Sequence, residues 1–184
     1  MKTSLPPQRE PNHVDRVIAE WGRQRPDLDL SPVEVVGRLG RAGRYLDDGL
    51  ERLFAEHGLS RGSWDVLASL RRVGPPYRRS PTDLYRSLMR TSGAMTHRLK
   101  RLERDGLVRR VADPADGRSL LVELTAKGRR LVDRLAALHV ENEGRLLEPL
   151  DEAERAVLAG LLRKLLLGFE RRQPVPPGPR EKGV

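Results

Sequence analysis

The segment from Asp113 to Thr125 constrains the fold of this chain more than any other. Strand-forming residues occupy positions 107–111 and 120–124, and the loop between them contains an Asp-Gly pair, which is typical of a hairpin. We therefore predict a β-hairpin that carries Arg118 at its tip. The residues just before it form a short basic helix, and a hairpin that directly follows such a helix is the arrangement of a winged helix.

Two short helices precede the hairpin. Ser80-Pro81 begins the first, because serine caps a helix and proline fits its first turn, and the second extends over about 92–105. A tight turn joins them, so we predict a helix-turn-helix. In the second helix Met95, Leu99 and Leu102 share one direction at 100° per residue, which fixes its inward face.

The rest of the chain is mostly helical, because apolar residues recur there at helical spacing. The last helix is too apolar for a solvated end, so we expect it to pack against a second copy of the chain. The predicted fold class is mainly α with a small β-wing, a winged helix-turn-helix with N- and C-terminal dimerisation helices. We predict a disordered tail over 1–10, an extra helix and linker over 11–30, a dimerisation helix over 31–60, the winged helix-turn-helix domain over 61–124, dimerisation helices over 125–172 and a disordered tail over 173–184.

The charge of the chain indicates a polyanionic partner. The formal net charge is +9 and the isoelectric point is near 10.7. Residues 78–130 hold 14 Lys and Arg against 6 Asp and Glu, a surplus of 8 that is most of the total. Because the surplus is concentrated in the helix-turn-helix and the hairpin, we predict that this part binds double-stranded DNA.

The sequence argues against several other classes of protein. It has no cysteine, no glycine-rich phosphate loop and no cluster of His, Asp and Glu with metal-ligand or acid–base spacing. We therefore expect no enzyme, no metal site and no cofactor, and we expect His13, His57 and His139 at the surface or at an interface. No apolar run approaches the roughly 20 residues that span a bilayer, and no signal-like segment is present, so we expect a cytoplasmic protein.

Two segments resemble signatures of the MarR family of winged-helix transcriptional regulators. They are Thr91 to Val108, at the second short helix, and Leu124 to Gly128, at the end of the hairpin. The resemblance covers roughly residues 35–170. It implies a homodimer whose terminal helices interlock, with two recognition helices in successive major grooves and wings that reach the flanking minor grooves.

The residues expected to contact DNA lie on the outward face of the recognition helix and on the hairpin. Hydroxyl groups suit base edges or phosphates, and basic groups suit mainly phosphates. An arginine at the wing tip suits a narrow, electronegative minor groove, and in the family the first aspartate of the wing steadies that arginine. The candidates are Arg90, Ser92, Thr96, His97 and Lys100 for the groove, Arg118 for the wing tip and Asp113 for its aspartate.

An extra amphipathic helix that carries Trp21 precedes this core. In this feature the chain resembles the urate-responsive, PecS/HucR-like branch of the family, in which such a helix lends a tryptophan to a ligand pocket. The resemblance implies a pocket of Trp21, Asp65, Arg98 and Arg110 for a planar purine anion such as urate. A tryptophan can stack on the ring system, and an arginine can present its fork to the anionic edge.

A mechanism of release follows from that pocket. We expect Asp65 to pair with Arg110 when the site is empty, and urate to compete for that arginine and shift the wing. Helical geometry puts Arg98 roughly 70° from the inward direction of its helix, at the edge of the core. Asp65 lies nearly opposite the buried face set by Trp64 and Leu67, so another element has to cover it.

Three functions remain open from the sequence. The first is a repressor that urate or a related purine releases from its operator. The second replaces urate with a phenolic or aromatic carboxylate, and the third is an architectural DNA binder without an effector. Titration of the DNA complex with urate and with salicylate separates the first two, and equal affinity for random duplex and promoter favours the third.

Overall fold

The computed structural model describes residues 10–88 and 92–172, without the side chains of 92–94 and 118. The described part is mainly helical with one small sheet, as predicted, and it divides into two compact units, one up to Asp48 and one from Gly49 onwards. In chain order the elements are α1 (His13–Gln24), α2 (Ser31–Ala55), α3 (Arg61–Arg72), β1 (Arg78–Arg79), α4 (Pro81–Ser87), α5 (Ser92–Arg104), β2 (Val108–Asp113), β3 (Asp116–Leu124), α6 (Ala126–Leu146) and α7 (Glu152–Arg172).

The N-terminal unit consists of α1 and the first part of α2. Asn12 caps α1 by accepting the Val14 N–H at 2.8 Å, and the Asp15 carboxylate accepts the Asn12 N–H in return. Val14 is buried and lies against Gly37 of α2, and Arg38 forms an ion pair with Asp15. The predicted amphipathic helix is therefore present, and its surface of attachment within this unit is α2.

The start of α2 differs slightly from the prediction. A serine followed by proline, as in Ser31-Pro32, favours a cap just before the first turn of a helix, but the helix begins at Ser31 itself. The carboxylate of Asp29 accepts the Ser31 N–H at 2.9 Å and the Ser31 hydroxyl at 3.0 Å. Asp29 thus satisfies a free amide at the start of the helix, which is the role that the sequence interpretation gave to Ser31.

The core of the second unit surrounds α3, which packs against α4, α5, α6 and β3. The predicted face of α3 is buried, since Trp64 is 6% exposed and Leu67 and Leu70 are fully buried. Val66 is also fully buried, so the buried surface of α3 is wider than the single face expected. The Trp64 ring stacks on Phe54, with 5.0 Å between ring centroids.

The sheet is antiparallel with strand order β1-β3-β2. The hairpin is longer than predicted, because its turn lies at Pro114-Ala115 and not at the Asp-Gly pair. Arg118 is the third residue of β3, in the stretch 117–119 for which the register gives no partner on β2, so it lies at the tip end of the hairpin but just after the turn and not in it. The short strand β1 was not predicted, since its two arginines carry no apolar signal for a strand.

Residues close in sequence cap the starts of the last two helices. Thr125 caps α6 by accepting the Gly128 N–H at 3.0 Å, and Asp151 and Glu154 form a reciprocal capping box at α7. None of the residues of α7 is buried. None of the described helices is long and apolar enough to cross a membrane. The exposed large apolar residues of α7 are Val157, Leu158, Leu161, Leu165, Leu166, Leu167 and Phe169.

Candidate DNA-binding surface and ligand site

The recognition helix α5 has the inward face that its sequence predicts. Met95 and Leu99 are each 3% exposed and Leu102 is 1% exposed, so these three side chains anchor the helix to the core. Gly106 ends the helix with a φ of 69°, a left-handed conformation that glycine adopts without strain. The Leu107 N–H then donates to the Leu102 carbonyl at 2.9 Å, which directs the chain into β2.

The opposite face of α5 presents three of the predicted DNA contacts to solvent. Thr96, His97 and Lys100 are exposed and lie within about 100° of one another around the helix axis. Ser92 is the first residue of α5. Arg90 lies outside the described residues. The face that the sequence assigns to the DNA groove is therefore accessible, which is the condition for such a role.

The wing turn is stabilised by an aspartate, and the predicted contact of this aspartate with Arg118 stays a prediction, because the side chain of Arg118 is not among those described. The Asp113 carboxylate accepts the Ala115 N–H at 2.9 Å, so this residue shapes the Pro114-Ala115 turn. Asp116 opens β3 opposite Asp113 and accepts the Ser119 hydroxyl at 2.7 Å. The observed contact of Asp113 is thus with the backbone of the turn.

Sequence reasoning missed Glu123, which joins the three strands of the sheet. Arg78 of β1 and Arg109 of β2 face Glu123 of β3 across the register. Arg109 Nε donates to Glu123 Oε1 at 2.6 Å, and Arg78 Nε donates to Glu123 Oε2. The only signal in the sequence was a single acid in a basic segment. Its two arginine partners can be identified only when the strand register is known.

The environment of Glu123 has opposing effects on its pKa. Burial alone would raise the pKa of this carboxyl, because burial disfavours the charged form. The hydrogen bonds from Arg109 and Arg78 favour the charged form and outweigh burial, so the pKa lies below its ordinary value. Glu123 is therefore a carboxylate at neutral pH, and it holds two guanidinium groups.

Arg98 lies at the edge of the core, where its position on α5 predicted it. The side chain is half-buried and its guanidinium lies over Gly62 of α3. A Cβ at position 62 would approach Arg98 Nη2 to 2.4 Å, so only glycine leaves room for this arrangement. Arg98 Nη1 is buried and has no hydrogen-bond partner among the described residues. A buried donor without a partner is costly, and an anion at this point would satisfy it.

The expected ion pair between Asp65 and Arg110 is not formed. Arg110 instead pairs with Glu103 of α5, at 3.4 Å between Nε and Oε2. Glu103 is near the end of α5 and Asp65 is on α3, so Arg110 of the wing is paired with an acid of the recognition helix. Asp65 is half-buried and has no ion pair within the described ranges.

The two arginines of the expected pocket approach α5 from different sides. Arg98 and Glu103 are five positions apart on α5, so their side chains point about 140° apart around the helix axis. Arg110 is held on the Glu103 side, whereas Arg98 faces Gly62. Asp65 is three residues after Gly62 on α3 and so lies on the Arg98 side. Trp21, which is 51% exposed, belongs to the N-terminal unit.

The histidines have separate surroundings. His139 was expected at the surface or at an interface, but it is half-buried and its ring packs against Phe54 and Trp64, with centroids 5.3 and 5.2 Å away. His57 Nδ1 lies 3.1 Å from the Leu53 carbonyl. Within residues 10–88 and 92–172, no three His, Asp or Glu side chains are placed to share a metal ion.

Comparison with known proteins identifies relatives that are similar to this chain over most of its length. A model of the MarR family matches residues 57–119, which include the helix-turn-helix and most of the wing. The HTH-type transcriptional regulator PecS of Dickeya dadantii is 40% identical over 149 residues, which are 81% of this chain and 90% of PecS.

Two solved structures are similar in both fold and sequence. A mutant of MarR from E. coli complexed with operator DNA matches with a TM-score of 0.65 and 28% identity, over 74% of this chain and 97% of that chain. BpsR of Bordetella bronchiseptica, whose DNA binding is regulated by 6-hydroxynicotinic acid, matches with a TM-score of 0.63 and 27% identity, over 71% of this chain and 91% of BpsR.

Proposed function

Because the chain belongs to the MarR family of winged-helix regulators, in its PecS-like branch, we propose that it is a homodimeric repressor that urate or a related purine releases from its operator. The coarser function, a DNA-binding transcriptional regulator and not an enzyme, follows from the family itself. The proposal adds the sign of regulation, the dimer and the effector.

The DNA contacts of the proposal are the residues predicted from the sequence. Thr96, His97 and Lys100 are exposed on the outward face of α5, next to the anchored inward face. The surplus of positive charge over 78–130 supports the same surface, since phosphate neutralisation supplies much of the affinity of such proteins. Arg90, Ser92, Arg118 and Asp113 complete the proposed set.

The proposed dimer rests on α7. Apolar side chains along the whole of α7 are exposed. The exposure of so much apolar surface to water is unfavourable in free energy. A second copy of the same helix covers it symmetrically, and pairs two recognition helices for a two-fold operator. The proposed dimerisation segments are therefore residues 31–60 and 125–172, with the extra helix of 11–30 before them.

The observation that carries the ligand proposal is Arg98 Nη1, which is buried without an acceptor among the described residues. Gly62 leaves the room that the guanidinium itself occupies. A planar anion with two acceptors on one edge fits an arginine fork. The half-buried Asp65, one turn along α3, is available to accept an N–H of a purine ring. The resemblance to the PecS-like branch is the ground for including Trp21 in the proposed ligand-binding set.

The ion pair between Arg110 and Glu103 suggests how ligand binding weakens DNA binding. It connects the wing directly to the recognition helix, because Arg110 lies on β2 and Glu103 on α5. An anion bound at Arg98 lies on the other side of α5 from this ion pair, so in this proposal it acts on the pair by shifting the helix and not by direct competition for Arg110. The wing and helix then lose a contact that fixes their relative position, so DNA affinity falls.

A second candidate keeps the repressor and changes the effector to a phenolic or aromatic carboxylate. It is favoured by the similarity to BpsR, whose regulator is the heteroaromatic acid 6-hydroxynicotinic acid. A carboxylate satisfies the Arg98 fork as well as a purine edge does. The architectural DNA binder without effector remains the third candidate, since it needs only the charged surface.

Tryptophan fluorescence tests ligand binding at the proposed pocket. Urate should quench the full-length protein, and Trp21→Phe should remove most of the quenching, because Trp64 is buried against Phe54. Arg98→Gln and Asp65→Ala should weaken urate binding roughly tenfold or more, the scale of a lost charged hydrogen bond. Arg101→Gln is the matched control, since it removes the same charge from an exposed position of α5.

Release of DNA separates the three candidates. The protein is bound to a duplex selected from random sequence and titrated with urate and with salicylate at fixed salt. Release of DNA by urate supports the proposal. Release by salicylate alone supports the second candidate, in which the effector is an aromatic carboxylate. If neither acts at millimolar concentration and random duplex binds equally well, the architectural function is correct.

A further inference from the structure

Glu123 is the one acidic residue among the buried residues of the described part of the chain. It belongs neither to the proposed groove-facing surface nor to the proposed ligand pocket. A buried carboxylate is retained only where strong donors compensate its lost hydration. Its donors here are Arg78 and Arg109, and each of them has further N–H groups that can donate to a second acceptor.

The three side chains form one row across the sheet. Arg78 and Arg109 are the register partners of Glu123 on the two neighbouring strands, and directly opposed residues share a face. Val122, the next residue of β3, is 2% exposed and faces the core. Because side chains alternate along a strand, the row lies on the outer face of the wing sheet.

The row retains a positive charge. One carboxylate balances one of the two guanidinium groups. Arg78 places its Nε on Glu123 Oε2, whereas Arg109 places both Nε and Nη2 on Oε1, which leaves its Nη1 and the second Nη2 hydrogen for another acceptor. A guanidinium has five N–H donors, so both arginines keep an edge for another acceptor. The side chain of Arg109 is 64% exposed even though Glu123 fixes it. The row therefore presents donors that are oriented before any partner arrives.

We propose that this row is a phosphate-binding site on the outer face of the wing, in which Arg109 donates to a DNA phosphate and Glu123 is the positioning residue. The arginine fork matches two phosphate oxygens, and fixing it in advance lowers the entropy that binding costs. DNA is the favoured partner because the row lies on the hairpin that follows the recognition helix. The inference rests on the DNA binding of the family and not on the purine response.

The proposal reverses the sign that simple electrostatics predicts for Glu123. Removal of an acid from a basic DNA-binding surface normally strengthens binding, because it removes a repulsion from the phosphates. If Glu123 positions Arg109, its removal releases the arginine and weakens binding instead. Glu123→Gln retains the size of the side chain, but it removes the charge and replaces one acceptor oxygen with an NH2 donor, so at most one of the two arginines keeps its acceptor.

The experiment measures operator affinity of the full-length protein as a function of salt, without urate. Arg109→Gln and Glu123→Gln should each bind the selected duplex roughly fivefold more weakly near physiological salt. Each should also reduce the slope of log K against log salt by about 0.9, the value for one phosphate contact. Arg109→Lys should restore part of the affinity, because it restores the charge without the fork.

Asp133→Asn is the matched control. Asp133 also holds an arginine, Arg71 on α3, at 2.7 Å, but this pair is not on the wing sheet. The variant should bind DNA as tightly as wild type or more tightly. Thermal unfolding identifies any variant that is simply less folded, and such a variant loses active protein without a change of slope.

The outcomes are distinct. A lower affinity with a shallower slope for both Arg109→Gln and Glu123→Gln supports the proposal. Tighter binding by Glu123→Gln, or an unchanged slope for Arg109→Gln, overturns it. If the row binds an acidic protein surface and not DNA, Arg109→Gln should leave the salt dependence of DNA binding unchanged, and urate should still release the DNA.

Discussion

At the scale of single residues, the position of the Arg98 side chain depends on the glycine at position 62. A guanidinium lies at the edge of the core only because the helix beneath it has no side chain at position 62. The cost is an unpartnered buried N–H at Nη1. Such a cost is retained where it serves a function, and an anion that binds there recovers it.

Gly62→Ala tests that pair. The new methyl group meets the flexible end of Arg98 and not the backbone, so we expect the guanidinium to move and the fold to remain. Urate-induced quenching and release should weaken roughly tenfold, as for other lost charged hydrogen bonds, while operator affinity without urate stays within about twofold. Gly40→Ala is the control, because nothing lies within 4 Å of its new methyl group. Wild-type urate response in Gly62→Ala would exclude Arg98 from the pocket.

The lowered pKa of Glu123 gives a pH dependence of stability. A carboxyl whose folded pKa is below its unfolded value stabilises the fold above the unfolded pKa, near 4.5, and this contribution is lost as the pH falls through the folded pKa. Glu123→Gln should therefore be less stable than wild type at pH 7, by about 2 kcal/mol. The difference should shrink below about pH 4.5. Urea denaturation between pH 7 and pH 3 measures this, and a constant difference would contradict the assignment.

At the scale of elements, local signals were predictable and long-range pairings were not. The caps Asn12, Ser60, Ser80 and Thr125 each act within three residues of their own position, so the sequence alone identifies them. The partner of Arg110 required the relative placement of β2 and α5, which no local pattern contains. The strand β1 was missed for the same reason, because its only evidence is pairing with β3.

The candidate site divides in the same way. The inward face of α5 and the position of Arg98 at its edge follow from helical periodicity, and the structure agrees with both. The roles of Glu103 and Glu123 depend on contacts between elements that are distant in sequence. Charge patterns therefore located the basic surface, whereas the acids that organise it became visible only in three dimensions.

The junction between the wing and α6 explains why a glycine lies three residues after Thr125. A Cβ at Gly128 would lie 2.1 Å from the Leu107 carbonyl oxygen and 2.8 Å from Leu124. Since the carbonyl is backbone, Gly128→Ala has to shift α6 away from β2, and we expect a loss of about 2–3 kcal/mol. Urea denaturation at one protein concentration measures it. Gly144→Ala in the same helix meets nothing within 4 Å and should be neutral or slightly stabilising. Equal stability of the two variants would contradict the tight junction.

At the scale of the whole molecule, charge and apolar surface are separated along the chain. The basic surplus lies in 78–130, whereas the largest run of exposed apolar residues lies on α7. The basic segment suits a polyanion, and the apolar residues of α7 suit a protein interface. A dimer that forms through α7 therefore leaves the basic segments of both subunits free to bind DNA. If the dimer forms in this way, we predict that operator affinity depends on α7, because two linked DNA-binding domains bind far more tightly than one.

Leu161→Glu combined with Leu165→Glu tests this dependence. Both leucines are exposed in the single chain, at 61% and 38%, so the substitutions should leave the fold of one subunit intact. They place charges in the proposed interface, and we expect sedimentation to report a monomer and operator affinity to fall at least a hundredfold. Ala156→Glu is the control, since it adds a charge about 140° from Leu161 around the helix. If the double variant remains dimeric and binds the operator normally, the subunits associate through another surface, and the exposed leucines of α7 require a different partner.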